Sequence, residues 1–350
     1  MTSAWHDTLQ IPVRALAWLG RQGTRAVAAL VFIGIAVPPL GRLLQPYVTE
    51  AIFLLLVVAF MRVDMAAALG HMRRPGVVLA ATAWTTLAVP LLVGLVCLAA
   101  GFDRQAPELF LGVMLQGIAS PIMAGPAFAA LMGLDATLVL ITLVTSTALV
   151  PLTAPLFAYA FLRSVLTLSP LALGVKLFAI LGGSVLAAAL VRRIVGAAAI
   201  ERHKEPIDGL NILLMLVFVD AVMGNVAGSF WHAPWQTTGI LLLSFAIFFA
   251  VFALSFLVLR KIAGRDALAL GLLVAQRNMG LMLAATEGAL PGTTWLYFAL
   301  AQFPLYMSPQ LLRPLARQKT DEQRQLSAHS RESGNPTTGS PLSRGRADVK

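Results

Sequence analysis

Cysteine is nearly absent: the single Cys97 excludes an intrachain disulfide and a cysteine-rich metal centre. Charge is scarce as well. Only 12% of the 350 residues are Asp, Glu, Lys or Arg, about half the share found in soluble domains. Catalytic signatures are missing: His6, His71, His203 and His232 fall in termini or connections, His329 lies in the C-terminal stretch, and no HExxH or phosphate loop occurs. An enzyme is therefore not expected. The long apolar stretches also lack the strict apolar–polar alternation of membrane strands, which excludes a lipid-embedded β-barrel.

What the chain has in excess is apolar surface. Hydrophobic residues make up 58%, and the mean hydropathy is +0.80. A soluble core of this length cannot use so much, so the surplus faces lipid. Because lipid offers no hydrogen bonds, continuous apolar runs of about 20 residues must be helical to satisfy their own backbone. Ten spans are expected, at 26–44, 48–65, 76–99, 108–132, 136–162, 169–191, 207–228, 236–260, 266–289 and 293–313.

The net charge of +10 would suggest nucleic acid in a soluble protein, but here the cations flank the apolar runs and act as topology signals. With the N-terminus inside, the inner connections hold Arg73, Arg74, Arg192, Arg193, Arg202, Lys204, Arg260, Lys261 and Arg265, and Arg313, Arg317 and Lys319 follow the last span. The outer connections hold only Arg42, Arg104 and Arg163. A multi-pass inner-membrane protein with both termini cytoplasmic is expected, with Trp231, Trp235 and Trp295 near the outer interface. Arg14 and Arg21 before the apolar stretch from Ala26 mimic a signal peptide, but no clear cleavage site follows, so the first span is expected to be retained.

The organisation expected is a cytoplasmic segment 1–25, five spans in 26–163, five more in 164–316 and a polar tail 317–350, too poor in apolar residues to fold alone. An odd number of spans per half inverts the second half relative to the first, as in many secondary transporters. The fourth and ninth spans are both interrupted. The fourth, GVMLQGIASPIMAGPAFAALMGLD, contains Pro121 and Pro126, which lack amide hydrogens and clash with the preceding turn. The freed carbonyls must then line a cavity or be buried in protein, and the half-helix that follows would offer amides to an anionic group.

The ninth span, LGLLVAQRNMGLMLAATEGAL, carries Gln276, Arg277 and Asn278 near its middle. Arg277 is roughly 16 Å from either end at about 1.5 Å per residue, too deep for easy snorkelling. A charge at that depth costs at least about 3 kcal/mol, which marks it as a functional candidate. The substrate-contact candidates are Gln116, Ser120, Pro121, Gln276, Arg277 and Asn278. Asp220, midway along LNILLMLVFVDAVMGN, is the expected partner of Arg277 or a proton carrier, with Asn225 on the same helix. Thr142, Thr145, Ser146 and Thr147 add hydroxyls in the fifth span, some of which will bond to their own backbone. Lys176 and Glu287 lie near span ends and read as interfacial.

The segments VVAFMRVDMAAALGHMRRPG, GIASPIMAGPAFAALMGLDATLVLITLVTSTALVPLTAPL and AQRNMGLMLAA, in this order and spacing, resemble the bile acid:sodium symporter superfamily over most of 26–315. The resemblance implies an all-α membrane fold of ten helices in two inverted five-helix repeats. Helices 4 and 9 would be broken and cross in a core domain, beside a panel of spans one, two, six and seven. It also implies sodium-coupled transport of an organic anion. The family holds its cations with an acidic residue five positions before the ninth-span Asn and with a Ser-Asn pair in the fourth span. Here those places carry Leu273 and the run Gly125, Pro126, Ala127, and Arg277 replaces the usual Gln. The exchange makes the crossing more positive by about two charges, so Arg277 is expected to stand in for a bound cation.

The function expected is a carrier of a small organic anion working by alternating access, coupled to sodium by resemblance, or to protons or nothing by its residues. No organic cofactor is expected. An auxin-efflux-type carrier shares the architecture. A passive channel and a membrane enzyme are the competing classes.

Overall fold

In a computed structural model the described residues are 2–22, 36–62, 74–163, 165–287 and 290–333, and among them no strand forms. The helices used below are α1 (Thr2–Gln22), α2 (Val48–Arg62), α3 (Pro75–Ala83), α4 (Val89–Ala99), α5 (Pro107–Ile118), α6 (Gly125–Leu131) and α7 (Ala136–Phe161). They continue with α8 (Pro170–Val195), α9 (Lys204–Met223), α10 (Pro234–Ala263), α11 (Ala267–Ala275), α12 (Met279–Ala285) and α13 (Gly292–Ser333).

Local chemistry explains many of the boundaries. Pro75, Pro107, Pro170 and Pro234 open their helices, where the missing amide hydrogen is no loss. Asp135 caps α7 by accepting from the Leu138 amide at 2.9 Å, and Ser169 caps α8 through the Ala172 amide at 3.2 Å.

Six described segments are long and apolar enough to cross a membrane: Pro39–Arg62, Pro75–Ala99, Ala136–Phe161, Pro170–Val195, Lys204–His232 and Pro234–Ala275. This is an all-α chain of multi-pass membrane character. The expected first span, 26–44, lies outside the described residues apart from 36–44, as do 63–73 with His71 and Arg73. The fourth and ninth spans fall short of crossing length because each is divided. The tenth is long but diluted by Gln302, Ser308, Gln310 and three prolines.

The segment 1–25 contains α1, packed along α9 with Arg21 paired to Glu205 at 2.8 Å. The polar stretch after residue 317 continues α13 as far as Ser333, in keeping with its Arg, Gln, Lys, Glu and Ala, which are good helix formers. Residues 334–350 lie outside the described residues.

The helices pack as two groups. In one, α9 lies against α1, α2 and the short helix Pro38–Leu44, and α2 lies against α8. In the other, α10 packs on α11 and α13, α7 on α3 and α6, and α5 on α4 and α13. The groups meet along α7 and α8. There Gly174 sits so close to α7 that a Cβ would stand 2.7 Å from Pro155 Cγ and 3.0 Å from the Pro151 carbonyl.

Candidate functional site

Where α5 stops after Ile118 and α11 after Ala275, two short extended segments run antiparallel, Pro121 opposite Arg277. The Ile122 amide donates to the Gln276 carbonyl at 2.9 Å, and the Asn278 amide to the Ser120 carbonyl at 2.7 Å. This register places Pro121 at a position where a ladder needs no amide hydrogen. The two interrupted runs therefore satisfy each other's backbone, as a buried break requires.

Arg277 is 3% exposed and reaches away from this ladder to other carbonyls. Its Nη1 donates to the Thr85 carbonyl at 3.2 Å and to the Ala119 carbonyl at 2.9 Å, and Nη2 donates to Thr85 at 3.2 Å. Both acceptors are free for local reasons. Ala119 follows the last turn of α5 in extended conformation. Thr85 lies in a π-helical turn, Trp84–Ala88, in which the Val89 amide donates to Trp84. In that register the donor for Thr85 would be residue 90, a proline with no amide hydrogen. One guanidinium thus ties together the third, fourth and ninth runs.

The expected pairing with Asp220 is not formed. Asp220 is fully buried, and neither carboxylate oxygen has a hydrogen-bond partner among the described residues. At 100° per residue it lies on the side of α9 opposite Asn211 and Phe218, which face the crossing. Its own carbonyl instead packs at Gly41, where a Cβ would approach to 2.5 Å. Depth along a helix is legible in a sequence, but azimuth depends on which neighbour the helix meets.

The other candidates separate in the same way. Gln116 accepts a hydrogen bond from the Tyr297 hydroxyl and lies with Arg277 at a small cavity separate from the main one. Ser120 contributes its carbonyl to the ladder, while its buried hydroxyl has no partner among the described residues. Gln276 donates through Nε2 to Ser308 Oγ at 2.9 Å. Asn278 caps α12 by accepting from the Leu281 amide at 3.1 Å, which satisfies one of the leading amides of that half-helix. Thr145 bonds back to the Ile141 carbonyl at 2.8 Å, and the buried Ser146 hydroxyl has no partner among the described residues. Asn225 is exposed and lies at a second cavity, of about 870 Å3, beyond the Val222 end of α9. Lys176 and Glu287 pair with each other at 2.8 Å. Trp231 and Trp235 are exposed, but Trp295 is buried and donates to the Val222 carbonyl at 3.3 Å.

A cavity of about 450 Å3 reaches the crossing from between the two helix groups. Arg277 and Asn278 line it beside the apolar side chains of Ile52, Leu56, Met123, Leu143, Met215, Phe218 and Met279. Arg62, Asn211, Gln302 and Tyr306 also line it and were missed from sequence, because single polar residues in apolar runs carry no spacing signal. Arg62 is paired with Asp208. Among the described residues no carboxylate lines the cavity to compensate the positive charge of Arg277.

The sodium ion implied by the resemblance does not fit these residues. Leu273, where an acidic side chain is required, is 1% exposed in an apolar cluster with Ala129, Val139, Leu143 and Ala269. Its Cδ1 fills the space over Gly125, where an added Cβ would lie 2.9 Å away. Alkyl groups supply none of the oxygen ligands a hard cation needs. Compared with models of known protein families, the chain matches none, and it matches no curated protein.

Proposed function

We propose that this chain is a secondary transporter that carries a small organic anion across the inner membrane by alternating access. The observation that carries the reading is the cavity ending at two mutually bonded helix breaks, with a guanidinium in its wall that has no carboxylate partner among the described residues. Irregular backbone at membrane depth is tolerated where it lines a cavity or is buried in protein, and paired interrupted helices are the usual mark of a transporter site.

In this proposal ten helices form two inverted repeats, 26–163 and 164–316, and the bonded segments at Pro121 and Arg277 are counterparts related by the inversion. The group containing α9, α2 and α8 acts as the panel and the group containing the crossing as the core. With both termini cytoplasmic, Arg62 and Asn211 mark the cytoplasmic mouth of the cavity. In this reading the architecture is similar to that of bile acid:sodium symporter-like proteins.

The test is a thermal-shift screen of the purified chain against small organic anions, cations and neutral solutes. A ligand that binds only the folded state raises its midpoint, and the rise grows with ligand concentration. Anions that stabilise the wild type and lose their effect in Arg277→Gln support the proposal. Stabilisation by cations alone, ion currents through single molecules, or chemical turnover of a screened compound would replace it with a different function.

A further inference from the structure

All three hydrogen bonds of the Arg277 guanidinium end on main-chain carbonyls, and no ion pair to it forms among the described residues. Each carbonyl has lost its helical donor for a reason present in the chain: Pro90 for Thr85, and the end of α5 for Ala119. The crossing also buries Ser120 Oγ and Gln276 Oε1 without partners among the described residues. Converging main-chain carbonyls in a water-poor interior are the chemistry by which proteins replace the hydration shell of a cation.

From this we infer that Arg277 is the resident cation of the crossing. It is a tethered guanidinium that fills a carbonyl-lined cation site, so that the assembled site needs no dissolved metal ion. Leu273 completes the exchange, since a carboxylate there would serve a mobile cation, whereas the alkyl cluster around it serves packing alone. The arrangement is exclusive: a second positive charge a few ångströms from the guanidinium is repelled. Shortening Arg277 therefore empties a site shaped for a planar, multiply donating monovalent cation, and free guanidinium is the ligand that matches it. The inference concerns the site of the proposed carrier but does not require the solute to be an anion, and its test uses no solute.

The experiment measures the unfolding midpoint of the full chain in lipid nanodiscs, in N-methylglucamine, potassium or sodium chloride at equal ionic strength. The wild type is expected to unfold at the same temperature in all three; a midpoint raised by sodium overturns the inference. Arg277→Ala is expected to unfold several degrees lower and to recover part of that loss in millimolar guanidinium chloride, which gives the wild type no such gain. An unchanged midpoint in R277A, or a lowered one that guanidinium does not raise, also overturns it. Where R277A does not fold, R277K and R277M decide: the charged side chain is expected to fold and the uncharged one of similar length to fail, whereas equal behaviour overturns the inference.

Discussion

The break between α5 and α6 contains two residues without an amide hydrogen, Pro121 and Pro126, and the carbonyls of Ala119 and Ser120 accept across the crossing from Arg277 and Asn278. The break between α11 and α12 contains no proline. It supplies the amide of Asn278 and the guanidinium of Arg277 as donors and takes one in return, the Ile122 amide on the Gln276 carbonyl, with the Asn278 side chain capping the helix that follows. Neither break is stable alone in an apolar interior, and together they form a donor–acceptor pair. A buried interruption is thus a property of two segments, even though each is encoded in its own run.

The largest way to break this comparison is Arg277→Met. It keeps the volume but leaves the Thr85 and Ala119 carbonyls buried without donors, at a cost of about 1–3 kcal/mol each. Denaturation in mixed micelles should show a loss well above that of a surface substitution, and a neutral result would mean that water already serves these carbonyls.

Asn278→Ala removes a cap but leaves the ladder amide, so a loss of about 1 kcal/mol is expected from the same measurement. A loss as large as that of Arg277→Met would show that the side chain does more than cap α12.

The role of Pro90 is tested by a double-mutant cycle. Pro90→Ala restores an amide that the Thr85 carbonyl can accept, so Arg277→Met should cost about 1 kcal/mol less in that background. Strict additivity would show that the π turn is not what frees Thr85.

Asp220→Asn separates the observed arrangement from the ion pair expected from sequence. Neutralising a buried carboxylate that has no partner among the described residues should leave stability unchanged or slightly raised, whereas loss of a buried ion pair costs about 3–5 kcal/mol.

The smallest effect is expected for Pro121→Ala. The register needs no donor at residue 121, and both ladder bonds come from Ile122 and Asn278, so the change should stay below about 0.5 kcal/mol. Spectroscopic evidence that helix runs through 119–124 in this variant would show that Pro121, and not the partner segment, maintains the break.

The membrane class and the two interruptions were legible because hydropathy and the proline and polar clusters are local properties of the chain. Pro170–Val195 and Pro234–Ala263 begin close to where apolar runs and helix-opening prolines place them. The partner of Arg277 was not legible, because a buried cation can be satisfied by a carboxylate or by carbonyls and only the second leaves no mark in side-chain identity. Pro90 was the available signal: a proline within an apolar run frees a carbonyl roughly one turn earlier. Thr85, Asn211, Gln302 and Tyr306 escaped notice because each is a single residue whose direction is set by packing.

By itself the sequence determined that this chain is helical and membrane-embedded, that its fourth run is interrupted by prolines and its ninth by a polar cluster, and that a guanidinium sits deep among apolar residues. Those facts follow from backbone hydrogen-bond requirements in lipid, which depend on composition and order alone. Only the tertiary structure decided that Asp220 turns away from the cavity, that Leu273 packs over Gly125, and that Arg277 bonds to Thr85 and Ala119. Helix azimuth and close approach are set by which surfaces meet, and no single run carries that information.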